Sequence, residues 1–306
     1  MVKPVGSSTN STLPQPILEK VEYSKIKVAL IFMTAIPMMA IWAALVVICL
    51  PLKLYNCIQS CRGRNQIQAI NALINEFFTI LNMMIRYPCS TKKYHYTPGV
   101  GKPILLVHGY LHNASTWYNM IDRLKEKELG PIYAIDLGDG TVSGKFWSMT
   151  QYAQQVFEKT QQIATETGRA DIAIVGHSMG GIIAMKAANL MPPNTLTHIG
   201  TIGSPLLGAK ISGCIVNGLN GIEMCFGSEF MKAFEAEAIA EGIDVKHIAS
   251  ANDQLVSHKS ALIGKKPGSN VLLEGIGHGG LATSDEVADI VGEWLSGVNS
   301  KTGSSQ

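Results

Sequence analysis

Asp171-Ile172-Ala173-Ile174-Val175-Gly176-His177-Ser178-Met179-Gly180-Gly181 is the stretch that decides how this chain is read. Its first half is a short apolar run of the kind that forms a buried strand, and beyond Gly181 the residues Ile182, Ala184, Met185 and Ala188 recur at helical spacing. Between strand and helix lies G-x-S-x-G. A strand that turns at once into a helix leaves almost no room for side chains, which accounts for glycines two residues either side of the serine. The turn pushes Ser178 Oγ out of the sheet, and the Met179 amide, at the helix N-terminus, points at any carbonyl that Ser178 attacks.

Where a serine is set on such an elbow, the acid and the histidine follow it in sequence. After Ser178 the carboxylates include Asp244, Asp253 and Glu274. Only Asp253 lies in a polar turn just past a strand-like run, Val245 to Ser250, whereas Asp244 precedes that run and falls at the wrong end of the sheet. Of the histidines beyond Asp253, His258 is too close in sequence to occupy a separate strand-end loop. His278 follows a second run, Asn270 to Glu274, inside the glycine-rich loop Gly275-Ile276-Gly277-His278-Gly279-Gly280, and can reach back over the elbow. Ser178, Asp253 and His278 are therefore the expected catalytic residues. A second oxyanion amide, beside that of Met179, is expected at Tyr110, in the loop that leaves the strand-like run Ile104-Leu105-Leu106-Val107 through His108 and Gly109.

Strand-like runs at Ile104 to Val107, Ile132 to Ile135, Asp171 to Val175, His198 to Ile202, Val245 to Ala249 and Val271 to Leu273 alternate with helical stretches. Those helices are read at Ala114 to Glu126, Thr150 to Thr167, Ser178 to Asn189 and Ser284 to Leu295. The alternation predicts an α/β fold with a mostly parallel sheet flanked by helices on both faces. Lys93 to Thr97 is a candidate for one further strand.

Six motifs resemble the α/β-hydrolase fold lipases and esterases of bacteria: Val107-His108-Gly109-Tyr110, Ala134-Ile135-Asp136-Leu137-Gly138, Val175 to Gly181, Thr201-Ile202-Gly203-Ser204-Pro205-Leu206-Leu207-Gly208, Asn252-Asp253-Gln254-Leu255-Val256 and Gly277-His278-Gly279-Gly280. The Thr201 to Gly208 stretch is similar to a Thr-Pro-His-x-Gly segment usual in triacylglycerol lipases, from which Ser204 and Leu206 depart, so esterase stands beside lipase. The resemblance covers about Lys102 to Ser296 and implies an α/β-hydrolase fold with a short cap.

The chain divides accordingly into a polar N-terminal tail at 1–27, an apolar run at 28–52, a connector at 53–101, a catalytic domain at 102–296 with its cap at about 209–242, and a flexible tail at 297–306. Val28 to Leu52 carries no charge over 25 residues, and its most polar member is Thr34. That length predicts an N-terminal transmembrane helix, a single uncleaved anchor, since the run begins late, exceeds a signal-peptide core and lacks a small-x-small cleavage site. Lys20, Lys25 and Lys27 precede it while Lys53, Arg62 and Arg64 follow, so flanking charge leaves the side of the catalytic domain open. In the connector Ile67, Ile70, Ile74, Phe77, Phe78, Leu81 and Met84 recur at helical spacing against the more polar Asn65, Gln68, Asn71, Asn75 and Glu76. Such an amphipathic helix either packs on the catalytic domain or lies in the membrane interface.

The six cysteines, Cys49, Cys57, Cys61, Cys89, Cys214 and Cys225, show no metal-ligand spacing, and Cys214 and Cys225 could pair in an oxidising compartment, which depends on the side of the membrane that flanking charge leaves open. No metal or cofactor is implied. A net charge of +2 without a basic cluster gives no reason to expect nucleic acid as a partner. The cap is rich in apolar residues, among them Ile215, Leu219, Met224, Phe226 and Phe230, which suits an acyl chain. The expected function is a membrane-anchored serine hydrolase of carboxylic esters, with lipid or other long acyl esters as substrates and the membrane as partner. Acyl transfer, thioester hydrolysis and a membrane-tethered binding protein on the same fold are the alternatives.

Overall fold

The structure is a computed structural model that describes residues 64–87, 95–110, 112–137, 147–193, 195–209, 219–237 and 242–297. The polar tail 1–27, the run Val28 to Leu52, Cys214 and all but the first residue of the tail 297–306 lie outside the described residues. Among the described residues no helix is long and apolar enough to cross a membrane.

Among the described residues seven strands form one sheet: β1 (Tyr96–Thr97), β2 (Ile104–Val107), β3 (Ile132–Ile135), β4 (Ile172–His177), β5 (Leu196–Ile202), β6 (Asp244–Ser250) and β7 (Asn270–Leu273). Their order is β1-β3-β2-β4-β5-β6-β7. Only β1, in the segment read as connector, is antiparallel, pairing Tyr96 with Tyr133; every other pair is parallel. Parallel strands need crossover connections, and these lay helices on both faces. The helices are α1 (Arg64–Arg86), α2 (Tyr118–Glu126) after a 3-10 turn at Ala114–Trp117, α3 (Met149–Thr167), α4 (Met179–Ala188), α5 (Leu219–Glu223), α6 (Glu229–Ala236), α7 (His258–Ala261), α8 (His278–Thr283) and α9 (Asp285–Ser296).

The period-two geometry of the strands splits the core in two. Leu105, Val107, Ile172 and Ile174 point to the face covered by α3 and α4, where they meet Val156, Ile163, Ile182 and Ile183. Ile104, Leu106, Ala173 and Val175 point the other way, onto Trp117, Met120, Leu124, Val287 and Val291 of α2, α9 and the preceding 3-10 turn. Because both faces are dry, β2 and β4 read as unbroken apolar runs, with each fully buried aliphatic side chain worth about 1.5–3 kcal/mol.

Start signals set the helix boundaries. Ser148 accepts from Gln151 N–H while the Gln151 side chain returns to Ser148 N–H, so α3 begins one residue earlier than its apolar pattern suggests, and Gly168, with φ of 66°, ends it. Ser284 caps α9, which Gly297 closes in the same left-handed way.

The cap differs from its expected lining. Met224, Met231 and Phe234 belong to the core beside α3 and α4, so they serve packing. Ile222 and Phe226 face outward, while Ile215 and the Leu219 side chain lie outside the described residues.

Candidate active site

Ser178 sits between β4 and α4 with φ of 54° and ψ of −122°, a backbone conformation that L-residues seldom adopt. The elbow is possible only because the chain is bare around it: a Cβ at Gly176 would strike the Gly180 carbonyl, and one at Gly180 would strike the Val107 carbonyl. The strained turn holds Ser178 Oγ 3.0 Å from His278 Nε2, and His278 Nδ1 lies 2.7 Å from Asp253 Oδ2. The Ser178–His278–Asp253 relay expected from the sequence is thus assembled from residues up to 100 positions apart.

Each member is held by its own loop. Asp253 follows β6 and is almost wholly buried, and its Oδ1 accepts from the N–H groups of Leu255 and Val256, both at 2.8 Å, which leaves Oδ2 aimed at the histidine. Asp244 begins β6 at the far end of the sheet and accepts from Trp294 Nε1, while His258 opens α7. His278 is the first residue of α8 and is buried. Burial by itself would lower its pKa, but the charge and hydrogen bond of Asp253 and the charge of Glu76 outweigh that, and the net shift is upward from 6.5. Protonation of His278 is therefore favoured over that of an ordinary histidine.

Three supporting residues had no individual role in the sequence reading. His177, inside the G-x-S-x-G motif, donates from Nε2 to the His278 carbonyl at 2.9 Å, and burial keeps it neutral, far below 6.5. His108 accepts the Leu137 N–H at Nε2, which leaves Nδ1–H to donate to the Gly109 carbonyl at 2.8 Å. Asp136, just past β3, accepts the Ala114 N–H at 2.6 Å and pairs with His95 Nε2 at 3.0 Å. Burial would raise the Asp136 pKa, but His95, His108 and the Ala114 N–H bring it down to about 2, so it stays a carboxylate. Together His108 and Asp136 pin the loop that carries Tyr110. An added Cβ on Gly109 would lie 3.0 Å from Ser178 Cβ, so the Tyr110 backbone passes beside the elbow, and Met179 opens α4 directly after Ser178.

The fourth support comes from α1, whose Glu76 read as one of the polar positions of an amphipathic helix. Glu76 is instead buried, with Ala72 and Met83, against α8 and the 3-10 turn at 114–117. Its Oε1 accepts the Gly279 N–H at 2.6 Å and its Oε2 the Gly280 N–H at 3.0 Å. At the other end of the helix Arg86 lies 3.8 Å over the Tyr118 ring, and the Tyr87 carbonyl accepts from Asn113 Nδ2 at 2.8 Å. The two loops that flank Ser178 are both fastened to α1. The only trace of this in the sequence is the run of glycines around His278: a side chain at Gly277 would collide with Glu76 Oε2, and one at Gly279 would lie 3.2 Å from Oε1.

Thr201 to Gly208 completes the wall. Gly203, with φ of 56°, lies against Asp253 and His278, so that a Cβ there would sit 3.3 Å from Asp253 Oδ2. Ser204 packs on Gly181 of the elbow helix, and Leu206 enters the core. The departures from the lipase pattern are thus packing positions. Chemically the arrangement can remove the Ser178 proton as the hydroxyl attacks a carbonyl, and return a proton to a leaving group.

Comparison with known proteins agrees with this architecture. Residues 104–245 match the model of the alpha/beta hydrolase family. Two pimeloyl-[acyl-carrier protein] methyl ester esterases are similar over 148 residues, 48% of this chain: that of Aliivibrio salmonicida (strain LFI1238) at 25% identity and that of Aliivibrio fischeri (strain MJ11) at 26%. The matches cover 51% and 52% of those proteins, so the chain spans about half the length of the curated relatives it matches. Among solved structures, the mature lipase BlEst2 of Bacillus licheniformis superposes with a TM-score of 0.52 at 17% identity, covering 66% of this chain and 98% of that one. The meta-cleavage product hydrolase CumD of Pseudomonas fluorescens IP01 superposes with a TM-score of 0.50 at 15% identity, covering 67% and 94%. With the sheet order, these likenesses show the α/β-hydrolase fold.

Proposed function

We propose that this chain, which has the α/β-hydrolase fold, is a serine hydrolase of carboxylic esters that works at a membrane on lipid or other long-chain acyl esters. The observation that carries the reading is the relay itself: Ser178 Oγ at 3.0 Å from His278 Nε2 and Asp253 Oδ2 at 2.7 Å from His278 Nδ1, on a strained elbow. His278 takes the Ser178 proton as Oγ attacks the ester carbonyl, and Asp253 stabilises the imidazolium. The amides of Met179 and Tyr110 are assigned to the oxyanion. His278 then protonates the leaving alcohol, and a water deprotonated by His278 releases the acyl group as a carboxylic acid and restores Ser178. The methyl ester esterases to which the chain is similar support ester over thioester chemistry.

Membrane attachment rests on two features of adjoining segments. Val28 to Leu52 is uncharged over 25 residues, the length of a bilayer span. Twelve positions after Leu52 α1 begins, and its outward stripe is apolar: Ile74, Phe77, Phe78, Leu81 and Ile85 are all exposed, Phe78 at 61% and Ile85 at 64%. A water-facing helix normally turns such residues inward, and an apolar stripe next to a membrane span is suited to the lipid interface.

A chain-length series of synthetic esters, offered to the wild type and to Ser178→Ala, tests the reaction. Rising specificity from acetyl toward longer chains, lost in the variant, supports it, since each buried methylene is worth about 0.8 kcal/mol. Preference for thioesters, or transfer to added alcohols in place of hydrolysis, would shift the reading to a thioesterase or acyltransferase. Absence of any labelling by a serine-directed phosphonate would favour a binding protein on this fold.

A further inference from the structure

We propose that Glu76 is a positioning residue for His278: a carboxylate on the connector helix that caps the helix bearing the histidine. The first N–H groups of a helix have no partner within it and are ordinarily met by the side chain of the preceding residue. In α8 that residue is Gly277, which has no side chain, and no cap hydrogen bond comes from it. Glu76 fills the role from 203 residues away, taking the Gly279 N–H on Oε1 and the Gly280 N–H on Oε2. These are the second and third residues of the helix, the positions a cap serves, and His278 is the first.

Three details tie this cap to the histidine as well as to helix stability. Glycines at 277 and 279 open the space in which the carboxylate sits, so the loop is shaped around it. Both oxygens accept from N–H groups, which is the pattern of an ionised carboxylate; burial pushes its pKa above 4.5, while the two N–H donors and His278 oppose that rise. The negative charge beside His278 then adds to that of Asp253. Main-chain anchorage completes the arrangement, with His177 Nε2–H donating to the His278 carbonyl and Gln254 Oε1 accepting the His278 N–H at 3.4 Å. Glu76 thus fixes where the ring begins and favours its protonated form, without touching the reacting atoms.

The inference rests on the relay reading, and its test separates the two. The full chain in detergent or vesicles is compared as wild type, Glu76→Gln and Glu76→Asp, with activity expressed per Ser178 labelled by a phosphonate. The base must be neutral, so activity falls as pH drops through the His278 pKa. Loss of the Glu76 charge is expected to move that acid limb to lower pH in Glu76→Gln and to lower kcat by about ten- to a hundredfold with little change in KM. Glu76→Asp keeps the charge and should hold the acid limb near the wild type while losing kcat through its shorter reach. If Glu76→Gln fails to fold, Gly279→Ala serves, since its Cβ would displace the carboxylate without removing it, and a smaller change in the same direction is expected. A folded variant with the wild-type acid limb and wild-type kcat per labelled serine overturns this inference alone, whereas a wild type that is not labelled at Ser178 overturns the relay reading with it.

Discussion

The strand-end loops that carry Ser178, Asp253 and His278 take their positions from a sheet buried on both faces, whereas α1, which braces two neighbouring loops, turns an apolar face outward. In the sheet, side chains sort by strand alternation, and the reactive groups emerge where parallel strands end. In the helix the usual sorting is reversed: the buried face holds Glu76 and Ala72 with Met83, and the outward face holds Ile74, Phe77, Phe78, Leu81 and Ile85. A carboxylate can be buried there because α8 presents two N–H groups that need an acceptor, while five apolar side chains stay on the outer face. Apolar periodicity by itself therefore does not mark the core side of this helix.

The largest effects should come from the loops. Ser178→Ala and His278→Ala are each expected to lower kcat by about a millionfold, with the double variant little worse than either, and Asp253→Asn by about ten-thousandfold in a protein that remains folded. Steady-state rates and a thermal melt check this, and near wild-type turnover in Ser178→Ala would break the first half of the comparison. In the same assay the acid limb of kcat/KM should lie above pH 6.5, because the His278 pKa is raised and the base is lost as pH falls through it. A limb below pH 6.5 would show that burial outweighs the two carboxylates.

The next effect sharpens the contrast between core and brace. Leu124 is fully buried under the sheet, and Met83 is buried between α1 and the Gly279 region. Truncating either to Ala should cost about 2–5 kcal/mol, with Met83 at the low end, as read from urea midpoints. Activity should separate them: Leu124→Ala stays near wild type per folded molecule, while Met83→Ala loses kcat because it loosens the seat of α8. Equal activity per folded molecule would mean that the brace only holds the fold.

The smallest effect on the folded protein is expected on the outer face of α1. Phe78→Ser and Ile85→Ser should change stability by less than about 0.5 kcal/mol and leave hydrolysis of soluble acetyl esters unchanged. With lipid presented in vesicles the same pair should lose severalfold in rate and in flotation with the vesicles. Unaltered vesicle activity would assign the stripe to some other role.

Much of this was legible in one dimension because the information is local. β2 and β3 end where their apolar runs end, the elbow announces itself by glycine spacing, and the order of Ser178, Asp253 and His278 follows from one reactive group per strand end. Capping moved the start of α3, which Ser148 and Gln151 opened one residue early, while β4, β5 and β6 extend past the runs read for them. Glu76, His177 and Asp136 were not legible as supports, since a glutamate on an amphipathic helix reads as a solvated position until its partners are known. The cap residues Met224 and Phe234 likewise carry the same apolar character whether they fill a core or line a site. Sequence by itself determined the sheet, the elbow and which three side chains meet beside it, because strand periodicity and glycine sterics act between neighbours in the chain. Only the tertiary structure decided what holds His278 in place, because a hydrogen bond spanning 203 residues joins segments that only the folded chain brings together, and nothing in the spacing of either segment records the other.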